Sequence, residues 1–173
     1  MKKTLVIISL IALALFLTGC NEAEITDQTS QKNILQENPI PGQFYLSKEN
    51  GWLNTKLPKQ EYYLVYTSAS WCPPCKILSP IIEEATKGPN KTVILIAGDD
   101  TEKATLKYMK GKNFFVINKG SHSNRPQWAQ IIWDGVQTYP NLAIINSKGE
   151  ILKQSPPASD PIPILQEFIS LEP

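Results

Sequence analysis

The feature that most restricts the fold of this chain is a pair of cysteines, Cys72 and Cys75, standing where one hydrophobic pattern gives way to another. Upstream, residues 61–67 (Glu-Tyr-Tyr-Leu-Val-Tyr-Thr) form a run of aromatic and β-branched side chains, the composition of a buried strand. Downstream, over residues 73–86, the pattern reads as a helix. Ile77, Leu78, Ile81 and Ile82 fall on one face, with Lys76, Glu83 and Glu84 elsewhere. Pro73 suits the first helical turn, where a backbone N–H has no helical partner. Pro80, inside the helix, should kink it. The chain is therefore expected to run strand, Cys-x-x-Cys, helix without a spacer.

The rest of the chain repeats this alternation. Thr92–Ala97 is a second apolar run of strand length. Thr101 can cap a helix reaching about Lys110, with Glu102 in its first turn favourable to the dipole. Residues 113–117 read as a short third strand. Residues 120–134 begin polar and then gather Trp128, Ile131, Ile132 and Trp133, which suggests a loop leading into a short helix with those side chains packed. Asn141–Asn146 and residues 150–153 read as two strands joined at Ser147-Lys148-Gly149, a hairpin signal. Residues 162–171 are amphipathic, with Ile164, Leu165, Phe168 and Ile169 on one side. The order implies an α/β fold with a mixed central sheet and helices on both faces. No internal repeat is present.

The N-terminus is of a different kind. Lys2 and Lys3 precede an apolar run over residues 5–17, broken only by Ser9 and short for a finished membrane span. It ends in Leu17-Thr18-Gly19-Cys20, which resembles the bacterial lipobox. That resemblance implies a signal peptide over residues 1–19 and lipidation of Cys20, which becomes the first mature residue. An ordinary signal peptide or a retained anchor, with Cys20 incidental, is the alternative. Removing residues 1–19 takes two lysines from the chain's 17 basic residues against 16 acidic, so the mature charge is near −1. Residues 20–42 are polar and end in Pro39 and Pro41-Gly42, the composition of a flexible tether from membrane to domain. The globular domain is then expected over residues 43–173. With Cys20 lipidated, one close cysteine pair remains in an exported, disulfide-permissive compartment. No cluster of Lys and Arg marks a nucleic-acid surface.

Trp71-Cys72-Pro73-Pro74-Cys75-Lys76, between strand and helix and followed by Pro80, resembles the active-site motif of the thioredoxin superfamily. The stretch over residues 134–141 (Asp-Gly-Val-Gln-Thr-Tyr-Pro-Asn) resembles the approach to that family's cis-proline loop. The resemblance covers residues 43–171. It implies a thioredoxin-like fold, a cis Pro140 against the cysteine pair, and a Tyr139 backbone that offers strand-like hydrogen bonds to a bound peptide. At a helix start, Cys72 meets unpaired N–H groups and the positive end of the dipole, which favour thiolate. Cys72 should be the exposed nucleophile and Cys75, one turn in, the resolving thiol. Trp71 should shield the sulfurs beside the cleft. Two positions depart from the family pattern. Tyr66 stands where thioredoxins often carry an acid that helps deprotonate the second cysteine, so the acceptor of the Cys75 proton is open. Asn141 stands where Thr usually follows the cis-proline.

These readings converge on a thiol–disulfide oxidoreductase that acts on protein thiols and disulfides outside the cytoplasm. It needs no cofactor beyond the cysteine pair and resembles anchored periplasmic thioredoxin-like reductases. Pro73 and Pro74 carry neither charge nor N–H donor, so the thiolate should be only moderately stabilised. The expected direction is reductive, with a membrane or periplasmic electron donor to recharge the pair. The anchor on Cys20 ties the protein to a membrane facing the periplasm, and Asn21 after Cys20 points slightly towards the outer one. A copper carrier using Cys72, Cys75 and His122 is the alternative from another class. A zinc site is disfavoured by its need for four ligands. His122 otherwise reads as a surface residue. Asp99-Asp100 reads as a helix-start turn rather than a metal site.

Overall fold

The computed structural model describes residues 39–120, 125–136 and 138–172, all within the compact unit Glu37–Pro173. The calls for a signal peptide, lipidated Cys20 and His122 fall outside the described residues. In chain order the elements are β1 (Phe44–Lys48), β2 (Gly51–Thr55), β3 (Tyr62–Ser68), α1 (Pro73–Ala85), β4 (Thr92–Ala97) and α2 (Glu102–Met109). They continue with β5 (Phe115–Val116), α3 (Gln127–Asp134), β6 (Asn141–Asn146), β7 (Ile151–Gln154) and α4 (Ile162–Ser170).

Among the described residues the strands form one seven-stranded sheet, ordered β2-β1-β5-β4-β3-β6-β7. β3 and β4 run parallel at its centre and β6 runs antiparallel to β3, so the sheet is mixed as expected. Alternate residues of the central strands feed two cores. Leu64, Tyr66, Val93, Leu95, Leu142 and Ile144 pack under Leu78 and Ile82 of α1 and Ile164, Leu165 and Phe168 of α4. Tyr63, Val65, Ile94, Ile96 and Ile145 pack on the other face under Trp128 and Ile132 of α3. Burying each such large side chain contributes roughly 1.5–3 kcal/mol. Helices therefore cover both faces, and the C-terminal ends of β3 and β4 meet where α1 begins.

Several expectations are corrected in detail. The buried stripe of α1 is Cys75, Leu78, Ser79 and Ile82, which follows the helical period from the cysteine. Ile77 and Ile81 lie about a hundred degrees off that stripe and are 70% and 46% exposed. Ile169 is likewise turned out of α4, and Ile131 out of α3. The strand expected over residues 113–117 shrinks to two residues, although Phe114 and Ile117 remain buried. The β1–β2 hairpin was not anticipated. Its register pairs Lys48 with Gly51 across Glu49-Asn50, and Gly51 sits at φ 147°, where a side chain would be strained. The domain's packing also begins earlier than Gln43: Ile40 is fully buried, and the Pro41 carbonyl accepts the Trp128 indole N–H at 2.8 Å.

Candidate active site

Cys72 and Cys75 form a disulfide with their Cα atoms 5.3 Å apart. Cys72 is the N-cap of α1, in extended backbone (φ −88°, ψ 109°), with Pro73 and Pro74 as the first two helical residues. The Cys75 N–H donates to the Cys72 sulfur at 3.2 Å, as an N-cap side chain requires. The Lys76 N–H donates to the Cys72 carbonyl at 3.3 Å. The two prolines bring no N–H, so among the first three helical residues Cys75 supplies the one backbone donor to that sulfur.

The expected exposed nucleophile is more enclosed than anticipated. Cys72 is 3% exposed and Cys75 fully buried, both packed with Ala69 and the ring of Tyr139. The order of access is still the expected one. Trp71 stands 58% exposed beside the pair, its ring edge-on to Tyr139 at 5.3 Å and 89°. The Tyr139–Pro140 peptide is cis, as the resemblance implies.

Beneath the pair, Tyr66 occupies the place of the missing acid. Its buried hydroxyl donates to the Cys75 carbonyl at 3.0 Å, and Ser79 Oγ donates to the same carbonyl at 2.9 Å. Ser79 continues to the Tyr108 hydroxyl at 2.7 Å, and Tyr108 to Ser68 Oγ at 2.9 Å. Burial, reinforced by Tyr108 and offset in part by hydrogen bonds from Ser68 and Ser79, pushes the Tyr66 phenol well above its usual range. Tyr66 is therefore a neutral donor that fixes the first turn of α1. Glu83 pairs with Lys112 and Glu84 with Lys87.

Two residues read otherwise in the sequence, Asp99 and Trp133, prove to belong to this neighbourhood, together with Arg125. Asp99, 1% exposed, accepts the Ser70 N–H at 3.0 Å and the Ser70 hydroxyl at 2.6 Å, and the Thr105 hydroxyl reaches it at 3.3 Å. It anchors the loop that delivers Trp71 and Cys72. The signal was its position just past β4, whose register sets Ala97 beside Ser68. Trp133 is only partly engaged in the core; its ring tilts towards Tyr139 at 5.9 Å and carries the Arg125 guanidinium at 3.7 Å. Arg125 also donates to the Ala97 carbonyl at 3.4 Å. Burial raises the Tyr139 phenol above its usual range; Arg125 opposes this and Asp99 and Asp100 add to it. Asn141 is buried, donating to the Ser155 carbonyl at 2.9 Å and accepting from Gln154 at 3.1 Å, so its side chain serves the β6–β7 pairing.

Comparison with known proteins agrees with this architecture. Residues 44–115 match the family described as Thioredoxin. Nucleoredoxin of Xenopus laevis is 27% identical over 96 residues, covering 53% of this chain and 23% of that protein. The chain thus spans about a quarter of the length of that relative. Tryparedoxin I of Leishmania major superposes with a TM-score of 0.55 at 18% identity, covering 82% of this chain and 93% of that one. The exposed lipoprotein thioredoxin of Streptococcus pneumoniae strain TIGR4 gives 0.51 at 23% identity, covering 75% and 100%. The fold is thioredoxin-like, and it carries a Cys-x-x-Cys disulfide at the start of a helix.

Proposed function

We propose that this thioredoxin-fold protein is a protein thiol–disulfide oxidoreductase working outside the cytoplasm as a reductase. The observation that carries the reading is the disulfide at the N-cap of α1, with Cys72 retaining the little access there is. In the reduced form, the Cys72 thiolate attacks one sulfur of a partner's disulfide. A Cys72–partner disulfide forms and one partner thiolate leaves. Cys75 then attacks the Cys72 sulfur, restoring the Cys72–Cys75 disulfide and releasing the second partner thiolate. Two electrons pass to the partner, and a membrane or periplasmic dithiol donor returns them by the same exchange.

The reductive direction is supported by the helix start. A pair is oxidising when its dithiol form is stabilised through the thiolate. With proline at the first two helical residues, one backbone donor reaches the Cys72 sulfur. On this reading the potential lies nearer roughly −270 mV, the thioredoxin value, than roughly −120 mV, that of a strong periplasmic oxidase. Export and anchoring rest on the charged start, the apolar run and the lipobox-like residues 17–20. The pneumococcal neighbour of this fold is described as an exposed lipoprotein.

The decisive experiment is trapping. Cys75→Ser should accumulate mixed disulfides with partner proteins through Cys72, while Cys72→Ser should not. Equilibration against a glutathione buffer sets the direction, and a potential above about −170 mV, beyond a typical isomerase, would replace the reductase role with an oxidase or isomerase one.

A further inference from the structure

Gly98 directly follows β4 within the active-site neighbourhood, and its φ is not one that demands glycine. What it lacks is space. A Cβ at this position would lie 2.8 Å from the Tyr139 hydroxyl oxygen, 2.9 Å from Cζ and 3.1 Å from Cε1. Ordinary carbon–carbon contact is about 3.5–4.0 Å, so the ring or the strand end would have to give by roughly half an ångström. The strand end is held, because the Gly98 N–H donates to the Ser68 carbonyl at 2.8 Å as a continuation of the β3–β4 ladder. The ring is held too. It packs against Ala69, Cys72 and Cys75, stands edge-on to Trp71 at 5.3 Å and tilts against Trp133 at 5.9 Å.

We infer that Gly98 is a positioning residue of the exchange site: its missing side chain seats the Tyr139 ring beside the Cys72–Cys75 pair and so holds the Trp71–Tyr139 wall where a polypeptide partner meets Cys72. This deepens the oxidoreductase reading and rests on it. Displaced from Gly98, the ring must disturb its contacts with Trp71 and the cysteine cluster, because those groups bound it on the other sides. A folded or extended polypeptide needs the Trp71–Tyr139 wall in place to bring its disulfide in line with Cys72. A small disulfide such as glutathione disulfide touches much less of that wall.

The test compares wild type, Gly98→Ala, Tyr139→Ala and the double variant. The readouts are steady-state reduction of insulin and of glutathione disulfide with dithiothreitol as donor, the near-ultraviolet circular dichroism of the clustered aromatic rings, and thermal midpoints. Gly98→Ala should lower kcat/KM for insulin about tenfold, the scale expected of a sub-ångström misplacement, and change glutathione disulfide reduction less than twofold. Simple destabilisation would move both substrates together. In the Tyr139→Ala background, Gly98→Ala should cost nothing further in any readout, since the clash has been removed. Equal losses on both substrates, or the same loss with and without the Tyr139 ring, would overturn the inference. A wild-type protein that reduces neither substrate would instead overturn the oxidoreductase reading. The circular dichroism and midpoints report the Gly98–Tyr139 coupling in either case, which keeps the two failures apart.

Discussion

The cap of α1 makes a quantitative prediction about Pro74. A helix start offers backbone N–H groups without helical partners, and an N-cap side chain is reached by those of the second and third helical residues. Here the second is Pro74 and the third is Cys75, whose N–H lies 3.2 Å from the Cys72 sulfur. Pro74→Ala restores the missing donor. A net hydrogen bond to a charged group is worth about 1.5–3 kcal/mol, and Pro74 is exposed to water, so the low end applies. About 1.4 kcal/mol lowers the Cys72 thiol by about one pKa unit. The same amount, stabilising the dithiol form, raises the potential of this two-electron couple by about 30 mV. The variant should also lose about 0.4–1 kcal/mol of stability in the disulfide state, because alanine leaves the unfolded chain freer, whereas in the dithiol state the restored hydrogen bond offsets that loss. Iodoacetamide alkylation of the reduced protein across pH gives the first quantity and glutathione equilibration the second. Pro73→Ala is the control. Its N–H belongs to the first helical residue, which does not aim at the cap side chain, so its effect should be clearly smaller. An unchanged Cys72 thiol in Pro74→Ala, or a larger effect from Pro73→Ala, would refute the cap argument.

Other perturbations probe the surrounding groups. Asp99→Asn replaces a buried acceptor of the Ser70 N–H and hydroxyl with a group that can satisfy fewer donors; it should cost about 1.5–3 kcal/mol in thermal or urea unfolding. A phenol raised by burial contributes stability that is complete below its unfolded pKa of about 10 and is lost as pH rises above it, at up to about 1.4 kcal/mol per pH unit. Tyr66→Phe should therefore cost about 1 kcal/mol at pH 7, yet lose less than wild type between pH 9 and 11 by urea midpoint. Cys20→Ser should release the protein from the membrane fraction or block its processing; a processed variant still bound to membrane would remove the anchor on Cys20.

What the sequence disclosed follows from how local each signal is. The sulfur pair, its strand and its helix are contiguous, so residues 61–86 carried their own explanation, and Thr101 as a cap needed only Ala104 three residues on. The hairpin of β1 and β2 was harder to read, since its turn residues are Glu49-Asn50 with Gly51 already paired, and its short strands mix Phe, Tyr, Trp and Leu with polar residues rather than forming an apolar run. The stripe on α1 was right at Leu78 and Ile82 and drawn too wide at Ile77 and Ile81, which are equally apolar; the position of Cys75 in the buried stripe separates the two pairs. The contributions of Asp99, Arg125, Trp133 and Gly98 were hidden for a different reason. Three of them depend on residues far off in the chain, Asp99 on Ser70, Arg125 on Ala97 and Gly98 on Tyr139, and Trp133 joins them through Arg125 and Tyr139. The sheet order brings them together, since β3 lies between β4 and β6 and all three deliver their ends to the start of α1. The reacting atoms of this site are thus a local property of the chain, whereas the walls that decide what reaches them are a property of the topology. Selectivity among partners should accordingly respond to changes at residues 98 and 139, far from Cys72 in sequence, while the chemistry of exchange responds to residues 72–75.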